Sequence, residues 1–95
     1  MRNLANSPIW YQIPLEKYPN GAELLITITD AATGKALRNA KIKKQRNKPE
    51  QGKLLINEWL TAGIKKIRVE IQQQKNGKTI SVTEKLVNLE SLSIF

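Results

Sequence analysis

Residues 67–86 read IRVEIQQQKNGKTISVTEKL, and the way this stretch doubles back decides the fold. Asn76-Gly77 is the dipeptide best able to supply the two positive φ angles of a type I′ turn, so its flanks are expected to pair as an antiparallel hairpin. A two-residue loop would set Ile71 opposite Val82 and Ile67 opposite Leu86. In that register Ile67, Val69, Ile71, Ile80, Val82 and Leu86 share one face, while Arg68, Glu70, Gln72, Gln74, Thr79, Ser81, Thr83 and Lys85 share the other. A slip of one residue would destroy this separation, so the alternation supports the turn and the pairing together. One facing pair, Arg68 with Lys85, is like-charged and mildly unfavourable.

Upstream, residues 23–29 read ELLITIT, with Leu24, Ile26 and Ile28 on one side and Leu25, Thr27 and Thr29 on the other, the pattern of a half-buried strand. Further strands are expected at 9–13, 40–45, 54–57 and 89–95. Glycines beside turn-forming or polar residues punctuate the chain into segments of strand length, at Gly21, Gly34, Gly52, Gly63 and Gly77. About seven short strands suit an all-β sandwich in one domain spanning residues 1–95, with residues 1–8 as an N-terminal arm. Residues 49–63 read two ways. Pro49 at a first helical turn, Leu55, Trp59 and Ala62 on one side, and Gly63 past the end describe a helix near 49–62 and an α+β fold. Alternation of Leu54, Ile56 and Leu60 describes a strand, which is the preferred reading.

Ninety-five residues allow one compact core, and no apolar run approaches the roughly 20 residues that cross a bilayer. The N-terminus has no apolar segment of the kind that directs Sec export, so the chain is expected in the cytoplasm or assembled into a particle. Cysteine is absent, which excludes disulfides, thiolate metal sites and cysteine nucleophiles. Histidine is absent too, removing the commonest general base and metal ligand. Asp30 is the only aspartate, the glutamates are scattered, and no nucleophile elbow or phosphate loop occurs. The expectation is a protein that is not an enzyme, with no catalytic residue, cofactor, metal or small-molecule substrate.

Residues 26–42, ITITDAATGKALRNAKI, resemble the opening of bacterial Ig-like and prealbumin-like β-sandwich domains, including carboxypeptidase regulatory-like and collagen-adhesin B-type modules. In those modules a strand runs into an Asp, a Thr-Gly-Lys turn, a Leu and a small residue before the next strand. Asp30, Thr33-Gly34-Lys35, Leu37 and Ala40 are similar to that pattern. Residues 52–69 resemble the later part of it through Gly52, Ile56, Leu60 and Gly63. The chain departs from the family at Ala36, where proline is frequent, and at Lys65-Lys66, where an aromatic residue is common. The resemblance implies an Ig-like sandwich. Asp30 is in any case suited to cap a turn through its side chain.

Charge is the most informative functional feature. Residues 35–53 hold Lys35, Arg38, Lys41, Lys43, Lys44, Arg46, Lys48 and Lys53 against one acid, Glu50, and so carry +7 of the net +8. Such a face can steer an acidic protein, touch nucleic acid or meet anionic lipid headgroups, with a strength that falls as salt rises. It also reads as a solvated edge whose lysines deter aggregation. No aromatic residue lies between Tyr18 and Trp59, so stacking platforms for bases are missing from the basic segment. Trp10, Tyr11 and Tyr18 form an N-terminal aromatic cluster, either an interface anchor or the closure of one end of the core. Trp59 reads as core.

Two functions fit these features. The first is a structural or adaptor module that meets a protein partner or itself within a larger assembly, such as a phage virion or a contractile injection machine, where such folds serve as building blocks. The second is a basic nucleic-acid-binding domain using residues 35–53.

Overall fold

The computed structural model describes residues 8–46, 48 and 50–92. The arm expected over 1–8 lies outside them apart from Pro8, as does the end of the last expected strand at 93–95. In chain order the elements are β1 (Trp10–Gln12), β2 (Glu23–Asp30), β3 (Ala36–Lys43), β4 (Lys53–Leu55), α1 (Asn57–Thr61), β5 (Lys66–Lys75), β6 (Lys78–Asn88) and α2 (Leu89–Leu92). The all-β expectation holds, with six strands among the described residues where seven were expected. No helix is long and apolar enough to cross a membrane among the described residues.

Four strands form an antiparallel sheet in the order β3-β2-β5-β6, and β1 pairs with β4 in a separate two-stranded ribbon. Alternation explains the sheet's inner face. Leu24, Ile26 and Ile28 of β2 and Ile67, Val69 and Ile71 of β5 are all buried, and in the β2–β5 register Ile26 faces Ile71 and Ile28 faces Val69. Ile13, Leu15, Tyr18, Leu54 and Ile56, from the ribbon and its loops, join these residues in one cluster with Val87 and Leu89. Each such aliphatic side chain contributes roughly 1.5–3 kcal/mol on burial, so this cluster is what holds a chain without disulfides together. The opposite sheet face, carrying Leu25, Thr27, Arg68, Glu70 and Gln72, contains no buried residue.

The turn at 76–77 forms as expected, with φ of 53° at Asn76 and 78° at Gly77. The register beyond it does not. Lys75 faces Lys78 and Gln74 faces Thr79, but Gln73 then faces Ser81, leaving Ile80 as an extra residue in β6. This β-bulge moves every later residue of β6 to the other face. Ile71 faces Thr83 instead of Val82, Ile67 faces Val87 instead of Leu86, and Arg68 faces Leu86 instead of Lys85. Ile80, Val82 and Leu86, expected in the core, are 55%, 57% and 57% exposed. The reason lies farther along the strand. Val87 and Leu89 alternate with each other, both are buried, and only the shifted register brings them inward together. The shift also brings Thr83 to the Tyr18 hydroxyl, which lies 3.1 Å from the Thr83 hydroxyl oxygen.

Three further expectations need correction. The segment expected as strand at 54–57, or as a helix near 49–62, is both: β4 holds three residues and α1 five. Leu54 and Ile56 are buried on alternate positions, and the chain then coils so that the Asn57 side-chain carbonyl accepts a 2.7 Å hydrogen bond from the Ile9 amide. The strand expected at 89–95 is instead a short helix at Leu89–Leu92, whose first amide donates to the Lys65 carbonyl at 2.8 Å. β3 begins at Ala36, earlier than the expected 40, with Leu37 as an extra residue beside Thr29.

Candidate functional site

The basic segment folds around one edge of the sheet. Asp30 closes the turn that leads into β3, its carboxylate accepting from the Ala32 amide at 2.9 Å and its carbonyl from the Gly34 amide at 2.7 Å. Lys35 is exposed at the end of that turn. β3 then runs antiparallel to β2 and pairs with no other strand among the described residues, so its far side is an open edge apart from the Lys43 carbonyl, which the Gln51 side chain takes.

Strand alternation sorts the β3 side chains. Arg38, Ala40 and Ile42 face Ile28, Ile26 and Leu24 on the core side, whereas Asn39, Lys41 and Lys43 face Thr27, Leu25 and Glu23 on the outer side. Arg38, Lys41 and Lys43 are exposed. None of the basic residues at 35–53 takes part in an ion pair among the described residues, where the one salt bridge joins Arg68 to Glu84 at 2.7 Å. All of them except Lys44 are exposed, so their charge is directed at solvent.

Beside the core-facing side of β3 the two layers do not close. A slot of about 300 Å³ opens there, floored by Ile13, Ile26, Ile28, Ala40, Ile42 and Leu54 and rimmed by Arg38, Lys48 and Lys53, with Glu50 among them. A second, wider groove of about 850 Å³ continues between residues 12–20 and 44–51, where Arg46 lies with Gln12, Tyr18 and Gln51. Gln51 braces the loop between these openings. Its amide donates to the Lys43 carbonyl at 2.8 Å, its side-chain oxygen accepts from the Gln45 amide at 2.9 Å, and its own carbonyl accepts from the Gln12 side chain at 2.7 Å.

The structure thus brings Arg38, Lys48 and Lys53 together around the slot, sets Lys41 and Lys43 on the outer side of the same edge, and leaves Lys35 and Arg46 at its two ends. Lys44 differs. It is half-buried, and its ammonium donates to the main-chain carbonyls of Tyr18 and Glu16, so it is a strut of the fold.

The aromatic cluster divides in the same way. Tyr18 is buried in the core beneath the Lys17 ammonium, which sits 5.5 Å from its ring centre. Tyr11 is half-buried, and burial pushes its phenol above the usual range. Trp10 alone is displayed, 54% exposed and facing the exposed Leu55 across the β1–β4 ribbon. Trp59 packs against the core as expected.

Sequence reasoning missed the exposed apolar positions Leu55, Val82 and Leu86. For the two in β6 the hidden signal was the inward pair Val87 and Leu89, whose parity opposes theirs. Among the described residues no three carboxylates are placed to hold a metal ion. No family model, curated protein or solved structure matches the chain.

Proposed function

We propose that the chain is a non-enzymatic structural or adaptor module that engages an acidic protein partner through the basic edge formed by β3 and the loop after it. The observation that carries this reading is the set of exposed cations Arg38, Lys41 and Lys43 on both faces of a strand that is paired on one side only among the described residues, flanked by Lys48 and Lys53. An edge strand offers a line of backbone donors and acceptors, and complementary charge guides a partner onto it quickly and in one orientation. Placement in a larger assembly, as an Ig-like building block of a virion or contractile apparatus, is the setting we favour. Nucleic acid fits less well, because the one displayed aromatic ring among the described residues, Trp10, sits on the ribbon facing Leu55 and not among the β3 cations.

The test is a photo-crosslinking residue placed at Asn39, on the outer side of β3, in the chain expressed in its source cell. A discrete protein adduct is expected from position 39, lost when Lys41→Glu and Lys43→Glu are introduced together, and absent from a control probe at exposed Glu58. An adduct sensitive to nuclease, or one indifferent to the charge reversal, would overturn the proposal.

A further inference from the structure

We infer that the β3 edge accepts an added partner strand whose residues alternate between aliphatic and acidic. This rests on the reading of the basic edge as a protein-docking site and specifies what docks there. A strand laid antiparallel or parallel along β3 continues the sheet, so its side chains also alternate between the two faces. Those on the inner side enter the slot beside Ala40 and Ile42, whose floor is aliphatic, and aliphatic side chains of valine size suit it. Those on the outer side come to lie beside Lys41 and Lys43, where carboxylates are matched. At about 3.3 Å per residue, seven added residues run most of the length of the eight in β3.

The same lysines argue against a second copy of this chain as the occupant. Two β3 edges brought together would set lysine and arginine side chains against one another, and facing like charges disfavour the pair. The lysines that keep β3 from pairing with itself are those that favour an acidic strand.

The experiment uses the full chain and two synthetic peptides of identical composition and charge, acetyl-EVEVEVE-amide and acetyl-EEEEVVV-amide, with affinity and residue-resolved amide exchange as readouts. The alternating peptide is expected to bind at least tenfold tighter than the block isomer and to slow exchange of the β3 amides that point away from β2. Its affinity is expected to fall at least tenfold in Ala40→Glu, which puts a carboxylate in the slot, and in the surface variant Lys41→Glu with Lys43→Glu, which leaves the core untouched. Equal binding of the two peptides would overturn strand addition while leaving the charge-guided edge standing. Protection falling on β6 instead of β3, or no binding by either peptide, would also overturn it.

Discussion

The Lys44 ammonium donates a hydrogen bond to the carbonyl oxygen of Tyr18, tying the end of β3 to the loop that carries the core tyrosine. A second carbonyl, that of Glu16, lies 3.3 Å from the same nitrogen, and the Lys44 backbone pairs with Ala22 and Gly21 at 2.8 and 2.7 Å. A residue that in the sequence is one of a run of lysines is a brace in the fold. Lys44→Met keeps the side chain's length and removes the donors, so a loss of about 1–2 kcal/mol is expected, a fall in Tm of several degrees. Lys41→Met, on the exposed outer side, is expected to leave Tm within about 2 °C, since such surface changes stay within about 0.5 kcal/mol. Thermal unfolding of the two variants side by side checks the contrast; equal effects would contradict it.

The bulge at Ile80 predicts that an unusual deletion is tolerated. Removing Ile80 leaves a regular hairpin in which Ser81 still faces Gln73 and Thr83 still faces Ile71, so the inward set of β6 is unchanged. The deletion variant is expected to fold with a similar Tm and to keep Tyr18 beside Thr83, which an NMR contact between the two side chains would report. In an unbulged strand the same deletion would turn the core residues outward, and the variant would unfold.

The same register separates neighbours. Val87→Ala is expected to cost about 1–3 kcal/mol because Val87 is buried, while Val82→Thr and Leu86→Thr are expected to cost no more than about 0.5 kcal/mol each. Denaturant unfolding measures all three. A large loss at Val82 or Leu86 with none at Val87 would contradict the shifted pairing.

Gly52 has φ of 80°, and a Cβ there would stand 3.1 Å from the Ile13 carbonyl oxygen, whose own amide donates to the Gly52 carbonyl at 2.8 Å. The carbonyl is main chain and cannot swing aside. Gly52→Ala is therefore expected to lose at least about 1–2 kcal/mol, the cost of left-handed backbone alone, and to loosen the loop that bears Lys48 and Lys53. Chemical denaturation tests it, and an unchanged midpoint would contradict it.

Burial raises the Tyr11 phenol above its ordinary value. The folded chain therefore favours the protonated phenol, and this contribution is complete below the unfolded value near pH 10 and is lost as pH rises through the folded one. Stability is expected to decline in that alkaline window, with a shallower decline in Tyr11→Phe. Ultraviolet phenolate titration and unfolding measured across the window check it; a Tyr11→Phe profile identical to that of the parent would contradict it.

Much of the fold was legible because its signals are local. Asn76-Gly77 sets its own turn, the alternation of residues 23–29 declares β2, and Asp30 caps the next turn through its own carboxylate. The face of β6 was not legible from the turn outward, because the choice depends on partners distant in sequence. Thr83 meets Tyr18, and Val87 and Leu89 close the core with β5. Counting onward to Val87 and Leu89 would have exposed the conflict. The basic segment was visible as charge, but composition cannot separate Lys44, turned back onto carbonyls, from Lys41 and Lys43, turned to solvent. The aromatic run hid a similar split, since Trp10 and Tyr11 are neighbours on a strand and fall on opposite sides of it.

The proposed function and the added strand both require β3 to be an unpaired edge in the free chain. Amide hydrogen exchange followed residue by residue measures this directly. Within β3, amides directed toward β2 are expected to be protected while the alternate ones exchange quickly, against protection throughout the central strands β2 and β5. Continuous protection along all of β3 in the monomer would mean that another segment already covers the edge, and the basic site described here would not exist.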